Sequence, residues 1–276
     1  MRVENDGLEC FVDDFLWPWE DALPVVLQHG YSRNPLFWNS WVPLLSKNRR
    51  VYRPTVRGCG GSSLPPEGYE YNAQNLIDDL LRQLDANGLE RVDYVGEASG
   101  GILGMLLALR VPDRIRSLVL VNTPVSIPPQ VRKAHRLETS ESGEAVRKYG
   151  IREWCLRTIA SRLDVEHAPA EMPNWYADQM ARTPTEVAAQ LVTCFESADL
   201  RGALENVAQP VLLLSGDRGS TWANEQAELL EGLPGATLRI IDGITAGINV
   251  LAPERCVNEV RQFWSQVEAA DPVAVG

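Results

Sequence analysis

The sequence predicts an α/β fold: a mostly parallel sheet flanked by helices on both faces, with a helical block inserted between two strands. Three observations predict it. Short apolar runs bounded by turn residues alternate with amphipathic segments of helical length, which is the pattern of parallel strands joined by crossover helices. The alternation stops between residues 124 and 206, where Arg/Glu-rich and Trp-containing helical segments run without a convincing strand. It resumes at "QPVLLLSGDRG". The expected organisation is therefore a core in two parts, 1–123 and 207–276, with a helical cap at 124–206.

Each element has a local reason. "GLECFVDDF" reads as an opening strand or hairpin, and "LPVVLQHG" as a short buried strand ending in a turn. "RRVYRPTVRGCGGSS" is a strand that stops in glycines. In "AQNLIDDLLRQLDANGLE", Leu76, Ile77, Leu80, Leu81 and Leu84 share one helix face, and Asn87-Gly88 ends the helix. Strand 91–96, a sharp turn, helix 99–110 and strand 117–121 follow. Pro124, Pro128 and Pro129 open the helical block. After it, "NEQAELLEGL" reads as helix, "ATLRIID" as strand, and "PERCVNEVRQFWSQVEA" as a closing amphipathic helix with Pro253 at its start. "DPVAVG" reads as a loose tail.

Bulk composition narrows the function. The chain has 276 residues and a net charge of −11, with no Lys/Arg-rich block, which argues against nucleic acid or an anionic membrane as partner. No apolar run approaches the ~20 residues of a membrane span, and the N-terminus lacks a signal-peptide core. Cys10, Cys59, Cys155, Cys194 and Cys256 are scattered and odd in number, so reduced thiols, no metal site and a cytoplasmic setting are expected. Cys59, in the Gly-rich turn, reads as a small filler rather than a reactive thiol. The composition is compatible with a homo-oligomer.

The chemistry concentrates in "VGEASGG", Val95 to Gly101. A residue raised on a tight strand-to-helix turn needs small neighbours, because larger ones collide with adjacent strands. Gly96 and Gly100 supply them, and Gly101 lets the helix pack closely. The apex is Ala98. An ordinary strand-helix turn would also fit these residues; a phosphate loop fits less well, since GxGxxG and GK[ST] are absent.

Together with "QHGYS", "RGCGGSS", "PVLLLSGDRG" and "IDGITAGINVLAPERC", in that order, this turn resembles the cap-bearing branch of the α/β-hydrolase family over nearly the whole chain, from Val25 to Val267. The resemblance implies a nucleophile elbow with Ala98 in the nucleophile slot and Ala246, in Gly243-Ile244-Thr245-Ala246-Gly247, in the histidine slot. It implies Asp217 as the acid, although the usual offset falls on Gly219 and the alternative position on Asn122. The amides of Tyr31 and Ser99 would form the oxyanion hole. Ser99 itself is a weak substitute nucleophile, and Glu97 is expected to point away from the pocket. Of the histidines, His29 reads as structural, while His135 and His167 read as surface residues of the cap, a pocket role for His135 being the alternative.

Nucleophilic acyl transfer needs a nucleophile and a base, and both slots hold alanine. Three explanations stay open: replacement of Ser and His in a hydrolase, a natural non-hydrolytic binder, or other cofactor-free chemistry such as proton transfer, cyclisation, C–C cleavage or oxygenation. The implied parent reaction is hydrolysis of an ester, lactone or amide of a small hydrophobic or aromatic molecule, without cofactor. Trp38 and Trp154 are the first candidates to line the pocket, ahead of Phe37, Trp41, Trp175, Tyr176, Phe195 and Trp222. Arg132, Arg136 and Arg157 would suit either a ligand carboxylate or a solvated helix face.

Overall fold

The computed structural model describes residues 1–20, 22–217 and 223–270. Eight strands form one sheet: β1 (Arg2–Asn5), β2 (Leu8–Asp13), β3 (Val25–Gln28), β4 (Val51–Pro54), β5 (Val92–Glu97), β6 (Ile115–Val121), β7 (Val211–Gly216) and β8 (Ala236–Ile241), in the order β1-β2-β4-β3-β5-β6-β7-β8. Of the opening strand or hairpin expected, the structure has the hairpin: β1 pairs antiparallel with β2, and β2 runs antiparallel to β4. Every other pair is parallel. β3, β5, β6 and β7 are buried along their whole lengths, as strands covered on both faces must be.

Helices α1 (Val42–Leu45), α2 (Ala73–Ala86) and α3 (Ser99–Arg110) precede the helical stretch. Between β6 and β7 lie α4 (Pro129–Arg136), α5 (Ser142–Tyr149), α6 (Ile151–Arg157), α7 (Met172–Met180) and α8 (Thr185–Ser197). Their only β contact among the described residues is an isolated bridge between Ser126 and Asp199. α9 (Ala223–Gly232), α10 (Ile248–Leu251) and α11 (Pro253–Ala270) complete the chain. One sheet face packs against α2 and α3 through Leu76, Ile77, Leu80, Ile102 and Leu103. The other packs against α1, α10 and α11 through Leu45, Ile248, Val260 and Trp264. A third cluster, with Trp154, Tyr176 and Met180 at its centre, belongs to the helical stretch and reaches the sheet domain through Phe37. Trp222, Gly219 and the tail after residue 270 lie outside the described residues, and no helix is long and apolar enough to cross a membrane.

Two buried ionic clusters brace the sheet. Asn72 caps α2 by accepting from the Asn75 amide at 2.9 Å, and one helical turn later Asp79 holds Arg57 through two bonds of 2.7 and 2.8 Å. That pair anchors the Gly-rich turn after β4. In it Cys59 is fully buried, and burial pushes its thiol up to about 12, which suits a packing residue. Across the sheet, Asp93 accepts from Arg116 Nε at 2.8 Å, Ser117 Oγ at 2.6 Å and Arg49 at 3.1 Å. Removing Asp93 leaves the buried Arg116 with only the longer contact to Glu268 at 3.5 Å, a defect worth about 3–5 kcal/mol. We expect Asp93→Ala to lower unfolding stability by that amount in urea titration. Glu186→Ala, which removes the exposed partner of Arg147, should change it by less than about 1 kcal/mol.

Candidate active site

β5 ends at Glu97, α3 starts at Ser99, and Ala98 between them has φ 51 and ψ −118, a conformation L-residues rarely adopt. Its backbone is held on both sides. The Ala98 amide donates to the Val121 carbonyl at 3.0 Å, and its carbonyl accepts from the Gly101 amide at 3.0 Å. The three glycines are required by close approach. A Cβ on Gly96 would stand 2.5 Å from the Gly101 nitrogen, and one on Gly100 would stand 2.5 Å from the Gln28 carbonyl. One on Gly101 would drive into Thr123. Tyr94 adds a hydroxyl bond of 2.8 Å to the Gly100 carbonyl, a brace that no sequence motif announces.

The turn after β3 closes on this elbow. A Cβ on Gly30 would meet the Glu97 carboxylate at 2.5 Å. His29 is fixed within the turn: Nδ1 lies 2.8 Å from the Gly30 carbonyl, and Nε2 accepts from the Val56 amide at 3.1 Å. Burial lowers its pKa to about 4, so it is a neutral structural group, as expected. Neither the Tyr31 nor the Ser99 amide meets an acceptor among the described residues. Ser99 is also the first residue of α3, where an amide has no intrahelical partner.

Ala98, Ser99, Tyr31 and Ala246 all line one cavity of about 70 Å³, space for roughly five waters. Asn122 joins them at φ 45, its Oδ1 accepting from the Gly216 amide at 3.0 Å. The helical stretch supplies the facing wall through Ile127, His135, Arg162, Val192, Phe195 and Glu196. Asp217 is not in the lining. Its amide donates to the Ile244 carbonyl at 2.7 Å, and its carboxylate accepts from the Gly243 amide at 3.2 Å. It thus braces the loop that carries Ala246. Asp164 braces the same loop from the helical side, accepting from the Thr245 amide at 2.9 Å. Among the described residues, no group of three or more His, Cys, Asp and Glu side chains is placed to hold a metal ion.

Four expectations need correction. Trp38 does not line the cavity; it is fully buried in the sheet core, edge-on to Trp41 at 4.9 Å. Trp154 stands one layer behind the wall, where it packs on Tyr31, His135 and Arg162 and donates to the His135 carbonyl at 2.7 Å. His135 is not a surface residue: it shares the buried face of α4 with Val131, four residues earlier, and reaches the cavity. Glu97 does not point away; the chain reverses at Ala98, and Glu97 lines the cavity paired with Arg33. Arg33 lies over the rings of Phe37 and Tyr176. His167 is exposed, as expected, and bonds Asp164 at 3.0 Å.

Close packing at the elbow gives a direct expectation. Gly100→Ala should destabilise the chain by about 1–3 kcal/mol, a fall of several degrees in thermal midpoint. Gly202→Ala, where an added Cβ meets nothing within 4 Å, should leave the midpoint within a degree or two of the parent.

Comparison with known proteins agrees with this geometry. The family model described as "alpha/beta hydrolase fold" matches residues 24–243. The 2-hydroxy-6-oxo-2,4-heptadienoate hydrolase of Pseudomonas putida is 41% identical over 101 residues, and the chain covers 36% of that relative's length, with 36% of its own aligned. The RutD protein of Caulobacter sp., to which carbamate hydrolase activity is provisionally ascribed, is 28% identical over 90% of this chain and 92% of its own. The enol-lactonase of Burkholderia xenovorans LB400 superposes with a TM-score of 0.82 at 24% identity, over 96% of this chain and all of that one, a likeness of fold. A match running from β3 past β8, over the same sheet and elbow, places this chain in the α/β hydrolase fold family.

Proposed function

We propose that this chain holds a compact, largely apolar carbonyl compound against the amides of Tyr31 and Ser99. In this reading the elbow belongs to a serine-type hydrolase of esters, lactones or amides from which the two reacting side chains are missing. One observation carries it: Ala98 and Ala246 line a single cavity around an amide pair that meets no acceptor among the described residues. The helical stretch serves as the cap, closing the cavity with Ile127, Val192 and Phe195. The relatives named as hydrolases of small molecules support the parent reaction.

The mechanism follows from what each position supplies. A hydroxyl on residue 98 would attack the carbonyl carbon, and an imidazole on residue 246 would take its proton and return it to the leaving group. Asp217 would orient that imidazole through the loop it already braces. The two amides would hold the negative oxygen of the tetrahedral intermediate. With methyl groups at 98 and 246, only binding and the amide pair remain; in mutated triads such a remnant retains about 10³–10⁴ over water.

Four proteins test this: the chain as given, Ala98→Ser, Ala246→His, and both together, each assayed on small aryl esters, lactones and amides. The double variant should exceed the parent by at least about a hundredfold, and each single variant should stay within about tenfold of it. Four equal rates from folded proteins would contradict the reading.

A further inference from the structure

The wall facing the elbow carries a second polar constellation, assembled from three parts of the helical stretch. His135 comes from α4, Glu196 from α8, and Ser161 and Arg162 from the turn after α6. All four line the cavity. His135 Nδ1 lies 3.4 Å from Glu196 Oε1, and Nε2 lies 3.2 Å from both Arg162 Nη2 and Ser161 Oγ. Glu196 is itself held by the Ser142 hydroxyl at 2.7 Å.

These partners fix the tautomer. The Glu196 carboxylate faces Nδ1 and requires a proton there. Arg162 presents an N–H that it cannot give up, so Nε2 must present a lone pair. His135, which lines the cavity, is thus a neutral imidazole whose basic nitrogen faces Ser161 and Arg162 of the same lining and whose other nitrogen is held by a carboxylate. Ser161 is no activated nucleophile in this arrangement, since its hydroxyl donates to the Thr158 carbonyl at 2.9 Å. Arg162 is almost fully buried, yet its bonds go to neutral groups: the Thr158 carbonyl, the Thr158 hydroxyl and His135. It also lies over the Trp154 ring. Among the described residues no carboxylate pairs with it. A buried cation of this kind strongly favours a partner in which negative charge develops.

We propose that His135 and Arg162 form a base–cation pair that moves a proton on a small enolisable ketone, with Glu196 as the positioning residue. The two nitrogens, 3.2 Å apart, suit an H–C–C=O unit laid across them. The carbonyl oxygen replaces Nε2 as the acceptor of the Arg162 N–H, and the adjacent C–H then faces the freed lone pair. The C–H bond breaks, its proton passes to Nε2, and its electron pair forms the C=C bond while the carbonyl π pair moves to oxygen. Arg162 holds the resulting enolate. The imidazolium returns its proton to oxygen or to carbon, so the net result is tautomerisation or hydrogen exchange, with no oxidant, reductant or co-reactant. The groups facing the imidazole set its protonation: burial lowers its affinity for a proton, Glu196 raises it, Arg162 lowers it, and Ser161 and the Trp154 ring are neutral.

The test is deuterium exchange at the carbons beside the carbonyl of benzylacetone and of cyclopentanone, followed by proton NMR in D₂O. The chain should accelerate exchange over protein-free buffer, and His135→Gln should remove at least about a hundredfold of that acceleration. Arg162→Met should lose it as well, with Arg162→Lys recovering part. The acid limb of the rate profile should lie below 6.5, and Glu196→Gln should move it lower, because the carboxylate that favours the imidazolium is gone. A purely structural glutamate would leave the limb in place. A second measurement needs no substitution: in the ¹⁵N-labelled chain, benzylacetone should move the His135 Nε2 resonance while Nδ1 stays protonated. Exchange no faster than in buffer, an unchanged rate in folded His135→Gln, or an unmoved Nε2 resonance would each overturn the proposal. The assay needs no side chain at residue 98 or 246, so its failure and a failure to restore ester hydrolysis are separate results.

Discussion

The backbone at Ala98 is the constraint on which the rest of the site depends. Its positive φ costs on the order of 1–3 kcal/mol for a residue with a side chain, and glycine there would remove most of that cost. The strain persists because its surroundings leave no alternative. The Val121 carbonyl fixes the Ala98 amide, Gly96 and Gly100 admit the adjacent backbone, and Tyr94 ties down the Gly100 carbonyl. The same geometry places residue 98 in the cavity lining and leaves the Ser99 amide without an acceptor among the described residues. An alanine in this position keeps the whole scaffold for positioning a reacting group and supplies no group to react.

Charge is distributed around that cavity unevenly. On the sheet side, Arg33 and Glu97 neutralise each other beneath aromatic rings. On the helical side, Arg162 bonds only neutral groups among the described residues, and Glu196 reaches it through His135. Inside a protein such charges are screened far less than in water, so an oxygen gaining negative charge would be drawn to either wall: to the amides on one side or to the guanidinium on the other. Alanine at residues 98 and 246 presents only methyl groups to the first wall and leaves the guanidinium wall unchanged.

Much of this was legible in the sequence. Strand and helix periodicity gave the sheet, because buried parallel strands are near-continuous apolar runs. The glycines around Ala98 marked the elbow, because close backbone approach there tolerates nothing larger, while Ala246 was placed at the cavity by the family resemblance. Side-chain direction was not legible. An aromatic residue near a motif packs inward or lines a pocket according to its rotamer and the face of its element, which only the assembled fold sets, and Trp38 and Trp154 both pack inward. Glu97 was misplaced because the chain reverses immediately after it. His135 meets Arg162 and Glu196 across 27 and 61 residues, so only the assembled helices bring them together. The Val131–His135 spacing was the one local sign, and the Arg- and Lys-rich surface of α4 obscured it.

The proposed function requires a carbonyl compound held at the amide pair, over the methyl group of Ala98. A crystal structure of the chain soaked with phenyl acetate tests this most directly. An intact ester is expected in the cavity, its carbonyl oxygen about 3 Å from the amide nitrogens of both Tyr31 and Ser99 and its carbonyl carbon over Ala98. An ester bound with its carbonyl turned away from both amides, or absent from the cavity at saturating concentration, would contradict it.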